Sequence, residues 1–266
     1  MRRSSAVVFV LAVSLAATSC DAFFTTNWFQ KAGLVDQKAA DLAALPAESL
    51  YERAYSQDGI ASAAFFTALE GDAAAKAQVL ATLEADWTGS ASTAAEQRSA
   101  ILYADILLET TQAGAVVDGI VAALASPPTI EVGDTDAEIA TKYLQAALPA
   151  SVLADEVTFT AAINAFIDAN DSYLALGSGI VTAGAQPGVD IISSAQSAVV
   201  AALVVALDAA TSGSNLGASL WPFVSGQTAV SPVDGTLTMP DFDNSPVSPL
   251  GSILEASGIT LPNFGA

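Results

Sequence analysis

Histidine is absent from the 266 residues of this chain. Its absence excludes Ser-His-Asp and Cys-His catalysis, acid–base chemistry on an imidazole, and the zinc sites that depend on histidine. No lysine has a serine three residues before it, which excludes the Ser-x-x-Lys nucleophile motif. No Gly-x-x-x-x-Gly-Lys sequence occurs, which excludes the phosphate-binding P-loop. We therefore expect no cofactor, and the reactive side chains that remain are mainly carboxylates.

Basic residues are scarce, with eight lysines and arginines against 28 aspartates and glutamates and a net charge of −20. No basic residue follows Lys142. Nucleic acids and anionic lipid headgroups both require a cationic surface, so we expect neither as a partner. The excess of acid is compatible with binding of a cation, with a basic protein partner, or with a solvated surface alone.

Cysteine occurs once, at Cys20, which excludes a disulfide within the chain. Arg2 and Arg3 precede an apolar run from Ala6 to Leu15, and small residues follow up to Cys20. A basic start, a short apolar run and a small-residue exit are typical of a secretory signal. The run is too short to span a membrane as a mature helix.

The segment from Leu15 to Cys20, Leu-Ala-Ala-Thr-Ser-Cys, resembles the lipobox of bacterial lipoproteins. The resemblance implies removal of residues 1–19, lipid attachment at Cys20, and a place in the bacterial cell envelope on the periplasmic or surface face of a membrane. Ala17 stands where leucine is usual. The resemblance covers the first 20 residues and implies nothing about the rest, and an ordinary cleaved signal with an incidental cysteine is the alternative.

Apolar residues recur with helical spacing between Asp36 and Ser212, which predicts an all-α fold, either an antiparallel helical bundle or an irregular helical-repeat array. Four sets carry the pattern: Val79, Leu80, Leu83 and Trp87; Ile101, Leu102 and Leu108; Ile139, Tyr143, Leu144 and Leu148; and Phe159, Ile163, Phe166, Ile167 and Leu174. Opposite the second set, Arg98, Asp105, Glu109 and Gln112 line a polar face. Thr93 with Glu96, and Thr135 with Glu138, have the spacing of capping boxes.

The chain divides by composition into four parts: the signal 1–19, a lipid-anchored tether 20–35, a helical domain 36–212 and a proline-rich segment 213–266. Ile191 to Leu207 is the most apolar stretch after the signal and predicts a central buried helix rather than a membrane span. We expect the last part to be extended chain packed on the helices, with a short helix near Ser252 to Ala256 and a turn at residues 233–236.

Three acidic clusters, beginning at Asp134, Asp168 and Asp241, place oxygen ligands at positions 1, 3 and 5 of a potential calcium loop. None has the glycine at position 6 or the glutamate at position 12 of an EF-hand, so we predict no metal site. Gly177-Ser-Gly179 lacks the third glycine of a dinucleotide-binding turn and is interpreted as a flexible helix end.

These observations support one leading hypothesis and two alternatives. The leading hypothesis is a non-catalytic binding or scaffolding module of the cell envelope, held at a membrane by lipid on Cys20 and contacting an envelope protein. The first alternative is a lipid-anchored receptor for a small solute or cation, for which a pocket lined by tryptophans or tyrosines would be expected. The second is a carboxylate-dependent hydrolase, which requires two inward-facing acids in one cleft.

Overall fold

The computed structural model describes residues 38–55, 62–87, 89–131, 142, 145–211, 215–228 and 248–259. These residues are mostly helical and form no strand, which confirms the all-α prediction. Several predicted features lie outside the described residues: Cys20 and the tether, the Thr135–Glu138 pair, and the turn at 233–236.

Ten α-helices and a short 3-10 turn at Val152–Ala154 follow one another along the described chain. The helices are α1 (Ala39–Ala43), α2 (Ala47–Ala54), α3 (Ala63–Glu70), α4 (Ala73–Asp86), α5 (Ala94–Glu109), α6 (Ala113–Ala125), α7 (Glu156–Ala183), α8 (Ile191–Ala209), α9 (Leu216–Val224) and α10 (Pro249–Ser257).

Helix starts follow local sequence signals. Thr93 and Glu96 form the predicted capping box at the start of α5, each side chain satisfying a backbone N–H near the first turn. Asp155 caps α7 by accepting from the N–H of Thr158. Pro46 precedes α2 and Pro187 lies between α7 and α8, where a residue without an N–H interrupts no helical bond.

The long helix α7 is the centre of the larger hydrophobic core. Its buried face, including Phe159, Phe166 and Leu176, packs against α5, α8, α9 and α10. A smaller core around Leu50, Phe65 and Leu83 joins the first four helices to the other side of α5. Because α5 contributes buried residues to both cores, it joins the smaller core to the larger one.

The C-terminal segment is more helical than its prolines predict. We expected extended chain around Pro222, but residues 216–224 form α9, so that expectation was wrong. The Asn215 side chain caps this helix. Pro222 lies inside it and, having no N–H, removes one backbone hydrogen bond. The burial of Phe223 and Val224 in the larger core favours the helix over extended chain. The short helix predicted near Ser252 is present as α10.

Helix α8 covers the apolar stretch from Ile191 and contributes buried residues such as Ala195, Ala198 and Ala201 to the larger core. No single helix in the described chain has the length and hydropathy to cross a membrane. Helix α5 and the start of α6 pass that test only as a pair, and the two are bent by 89° relative to each other.

Gly177 and Gly179 lie inside α7, so their interpretation as a flexible helix end was wrong. A Cβ at Gly179 would come within 1.6 Å of the carbonyl oxygen of Ala91, and one at Gly177 within 2.1 Å of that of Pro249. Both glycines therefore allow another backbone segment to lie directly against the central helix.

Candidate functional site

The end of α2 places two tyrosines against α5. Tyr51 and Tyr55 are one helical turn apart, with ring centroids separated by 4.7 Å. The Tyr55 hydroxyl donates a hydrogen bond to Oδ2 of Asp105, which lies fifty residues away in the chain. The guanidinium of Arg98 lies over the Tyr51 ring, 5.6 Å from its centroid.

The polar face predicted for α5 is turned toward these tyrosines. Arg98, Asp105 and Glu109 follow one another along it, and the two carboxyl side chains are partly buried. Arg98 donates through Nε to the carbonyl of Gly188, 3.3 Å away in the connection between α7 and α8. The sequence placed these residues on one face, and the structure adds that α2 and the α7–α8 connection cover that face.

Glu109 ends α5 at the sharp corner that leads into α6. At this corner Gln112 adopts a left-handed backbone conformation, with φ of 63°, which is unfavourable for a residue with a side chain. The Glu109 carboxyl lies over Gly114, so closely that a Cβ there would be 2.6 Å from Oε1. Asp118, one turn further along α6, is exposed at the surface.

Helix α7 supplies a buried tyrosine. Tyr173 is 3% exposed, and no described group hydrogen-bonds its enclosed hydroxyl with normal geometry. The Ser197 hydroxyl of α8 is close enough to favour the ionised form of Tyr173. The carboxylates of Asp105 and Glu109 are also close enough to act on the pKa of Tyr173, which is raised well above its ordinary value, mainly by burial.

Burial, with added repulsion from neighbouring carboxylates, raises the pKa values of both acids of α5. Burial raises the pKa of Asp105 to about 6, against the opposing effect of the Tyr55 hydrogen bond, and the nearby Asp190 carboxylate raises it further. Burial raises the pKa of Glu109 to about 8, with added repulsion from Asp105 and Asp118. Near neutral pH, Asp105 is therefore mostly ionised and Glu109 mostly protonated.

We refer to Tyr51, Tyr55, Asp105, Glu109 and Tyr173 as the acid–tyrosine site. In the described part of the chain, no lysine or arginine forms an ion pair with either acid of this site. Lys76 of α4 comes near its edge, where Nζ donates to the Thr110 hydroxyl at 3.3 Å. Buried carboxyls without a counter-charge are attractive to a cationic ligand.

One of the three acidic clusters considered as calcium loops lies among the described residues, and it is not part of the acid–tyrosine site. The cluster from Asp168 to Ser172 lies within α7, where a continuous helix cannot fold back around an ion, and Asp168 and Asp171 are exposed. Among the described residues, no group of three or more acids, cysteines or histidines is arranged to hold a metal ion. The clusters at residues 134–138 and 241–245 lie outside the described residues.

The two tryptophans within the described chain contact other parts of the core. Trp87 packs edge-on against Tyr103, and Trp221 packs against Phe159. Tyrosines rather than tryptophans therefore surround the two acids. These tyrosines were not predicted as site residues, and the sequence signal for the site was the placement of Asp105 and Glu109 four residues apart on one helical face.

No protein-family model, no curated protein and no solved structure matches this chain.

Proposed function

We propose that this protein is a non-catalytic binding module of the bacterial cell envelope, held at a membrane by lipid on Cys20, and that it binds its ligand at the acid–tyrosine site. The observation that supports binding at this site is the convergence of partly buried acids and tyrosines from α2, α5 and α7, with no lysine or arginine among the described residues ion-paired to either acid. Of the roles predicted from sequence, this arrangement favours a receptor for a small ligand over a scaffold for another protein, because the two acids are partly buried and Tyr173 is fully buried.

Binding at the site is tested by a thermal-shift screen of small solutes on the full-length protein purified in mild detergent. A ligand that binds the folded state raises its melting temperature in a concentration-dependent way. We expect Asp105→Asn to abolish the shift and the exposed Asp168→Asn to retain it. A ligand whose effect is equal in all three proteins would place binding elsewhere.

The anchor is tested separately by membrane fractionation of cells that express the wild type or Cys20→Ser. We expect the wild type in the membrane fraction and the variant released from it, since lipid chains contribute about 0.8 kcal/mol per buried methylene. Equal retention of the variant would contradict lipid attachment at Cys20.

A carboxylate-dependent hydrolase is the second candidate, because the pKa values of Asp105 and Glu109 are separated so that one acid is protonated while the other is ionised. Binding is preferred on geometric grounds. The two acids are one turn apart on the same helix face and approach a ligand from the same side, whereas a glycosidase places its carboxyls on both sides of the scissile bond. Release of chromophore from nitrophenyl glycosides, lost in Glu109→Gln, would reverse this preference.

A further inference from the structure

The acid–tyrosine site holds polar groups that the described protein leaves without partners. The Glu109 carboxyl lies against Gly114 and receives no hydrogen bond from any described residue. The Asp105 carboxyl receives one, from Tyr55. A carboxylate has lone pairs for about four hydrogen bonds, so both groups have unused acceptor capacity.

A separate observation comes from α7. The Tyr173 hydroxyl is enclosed by protein, close enough to Asp105 and Glu109 for their charges to act on it. The Ser197 hydroxyl lies nearby, but no described residue forms a hydrogen bond of normal geometry with the Tyr173 hydroxyl. A buried hydroxyl without a well-formed hydrogen bond destabilises the folded state, and most such groups in folded proteins are paired. A ligand with N–H groups would satisfy it together with the acids.

The acids are arranged in a row that leads from the surface inward. Asp118 is exposed, whereas Glu109 and Asp105 are partly buried. Asp105 and Glu109 are four residues apart on α5, which corresponds to a separation of about 6 Å along the helix axis. This spacing suits two ammonium groups joined by a short alkyl chain. The Tyr51 ring already carries the Arg98 guanidinium over it, so the acids rather than the rings supply the attraction for the ligand.

We propose that the acid–tyrosine site binds a linear organic diammonium or polyammonium cation, with one ammonium group at Asp105 and the next at Glu109. This inference rests on the proposed binding function and names its ligand class. The N–H groups of the inner ammonium donate to Asp105 and Tyr173, and those of the outer one donate to Glu109. A metal ion fits less well, because the described residues contain no group of three or more ligands suited to one.

Binding is accompanied by release of a proton. Glu109 is mostly protonated near neutral pH in the free protein, because its pKa is about 8. An ammonium group beside it favours the carboxylate, and the proton passes to the buffer. The other ionisable groups that act on Glu109 are Asp105 on α5, Tyr55 at the end of α2, Asp118 on α6 and Tyr173 on α7, and Lys76 of α4 donates a hydrogen bond to the adjacent Thr110.

The test is isothermal titration calorimetry of the full-length protein with 1,4-diaminobutane and with spermidine, near neutral pH and at about 0.15 M salt, which screens exposed charges. We expect saturable binding, and an apparent enthalpy that changes with the ionisation enthalpy of the buffer because a proton is released. The matched control probes are 1,4-butanediol, which has the same chain length without charge, and Mg²⁺. Neither is expected to bind at the same concentration.

Three variants locate the binding. Asp105→Asn and Glu109→Gln are each expected to weaken binding about tenfold or more, since each removes a charged hydrogen bond. Glu109→Gln should also abolish the dependence of the apparent enthalpy on the buffer. Tyr173→Phe should weaken binding but keep that buffer dependence. The exposed Asp171→Asn is the control and should bind as the wild type does. Circular dichroism checks that every variant is folded.

The possible results separate the ligand class from the wider function. Absence of diamine binding by the folded wild type, equal binding by Glu109→Gln, or equal binding of Mg²⁺ would overturn the ligand assignment. If a neutral or anionic ligand from the thermal-shift screen still depends on Asp105, the binding function survives without the cation. If no ligand in that screen depends on Asp105, both proposals fail.

Discussion

Two acidic residues separated by four positions on one helix normally repel each other at a cost of a few tenths of a kcal/mol. In α5, partial burial of Asp105 and Glu109 strengthens that repulsion because fewer water molecules screen it. The protein accommodates the pair by keeping Glu109 protonated near neutral pH and by donating the Tyr55 hydrogen bond to Asp105. The consequence is a dependence of stability on pH.

We predict that the free energy of unfolding falls as the pH rises from about 4.5, the ordinary pKa of a glutamate side chain, to about 8. Burial raises the pKa of Glu109 from 4.5 to about 8, so the folded state binds more protons than the unfolded state between these values. Glu109→Gln removes the titrating group and should be more stable than the wild type above pH 8, with a flatter pH profile. Urea unfolding at a series of pH values measures both effects.

The exposed Glu70→Gln is the control for that experiment and should keep the profile of the wild type. A wild-type profile that rises from pH 5 to pH 8, or a Glu109→Gln profile as steep as that of the wild type, would contradict the raised pKa of Glu109.

At the scale of the element, α7 is a helix crossed at two points by other backbone segments. The N–H of Ala91 donates to the carbonyl of Ala175 at 3.0 Å, which ties the connection between α4 and α5 to this helix. The Ser252 hydroxyl of α10 donates to the carbonyl of Gly177 at 2.9 Å. Gly177 and Gly179 therefore determine how closely the neighbours approach, although glycine has low helix propensity.

We predict that Gly179→Ala destabilises the protein by about 3 kcal/mol or more, because the added methyl group would overlap the Ala91 carbonyl and neither backbone can yield without distorting the packing. This loss opposes and exceeds the gain of about 1 kcal/mol that alanine usually gives in a helix. Chemical denaturation of the purified variant measures the difference.

Gly71→Ala is the matched control. Gly71 follows α3 with φ of −75°, and a Cβ there would meet ordinary contacts of 3.6 Å or more. We expect its stability to equal or slightly exceed that of the wild type. If Gly179→Ala were tolerated as well as Gly71→Ala, the close crossing of α7 by the backbone at Ala91 would be wrong.

At the scale of the whole molecule, the two hydrophobic cores share α5. Leu102 and Ile106 face the smaller core, and Ile101 and Leu108 face the larger one. Leu80 and Tyr103 pack against both. A helix that is buried on two sides cannot lose one core without exposing part of the other, so the two cores should unfold together.

We therefore predict a single unfolding transition that shifts when either core is damaged. Leu50→Ala in the smaller core and Ile253→Ala in the larger core each remove a fully buried side chain and should each cost about 2–5 kcal/mol. Far-ultraviolet circular dichroism and tryptophan fluorescence should give the same midpoint for each variant.

The half-exposed Ile192→Ala is the control and should change stability by less than about 1 kcal/mol. Two separate transitions, with Leu50→Ala affecting only one of them, would show that the cores are independent.

Part of the structure and chemistry of this protein was determined by its local sequence. The helical spacing, the Thr93–Glu96 capping box and the positions of Pro46 and Pro187 concern residues within about one turn of each other, so their effect does not depend on the rest of the fold. The absence of histidine likewise excludes whole classes of chemistry in any fold. Lipid attachment at Cys20 stays a prediction from the first 20 residues.

Only the tertiary structure decided the features that depend on distant residues. Tyr55 and Asp105 are fifty positions apart, and Ala91 and Gly179 meet only because a connecting segment crosses α7. Sequence periodicity showed that Asp105 and Glu109 share a helix face, but it could not show that α2 would cover that face and remove water from it. The raised pKa values and the candidate site follow from that coverage, because burial depends on the neighbours that a helix acquires and not on its own residues.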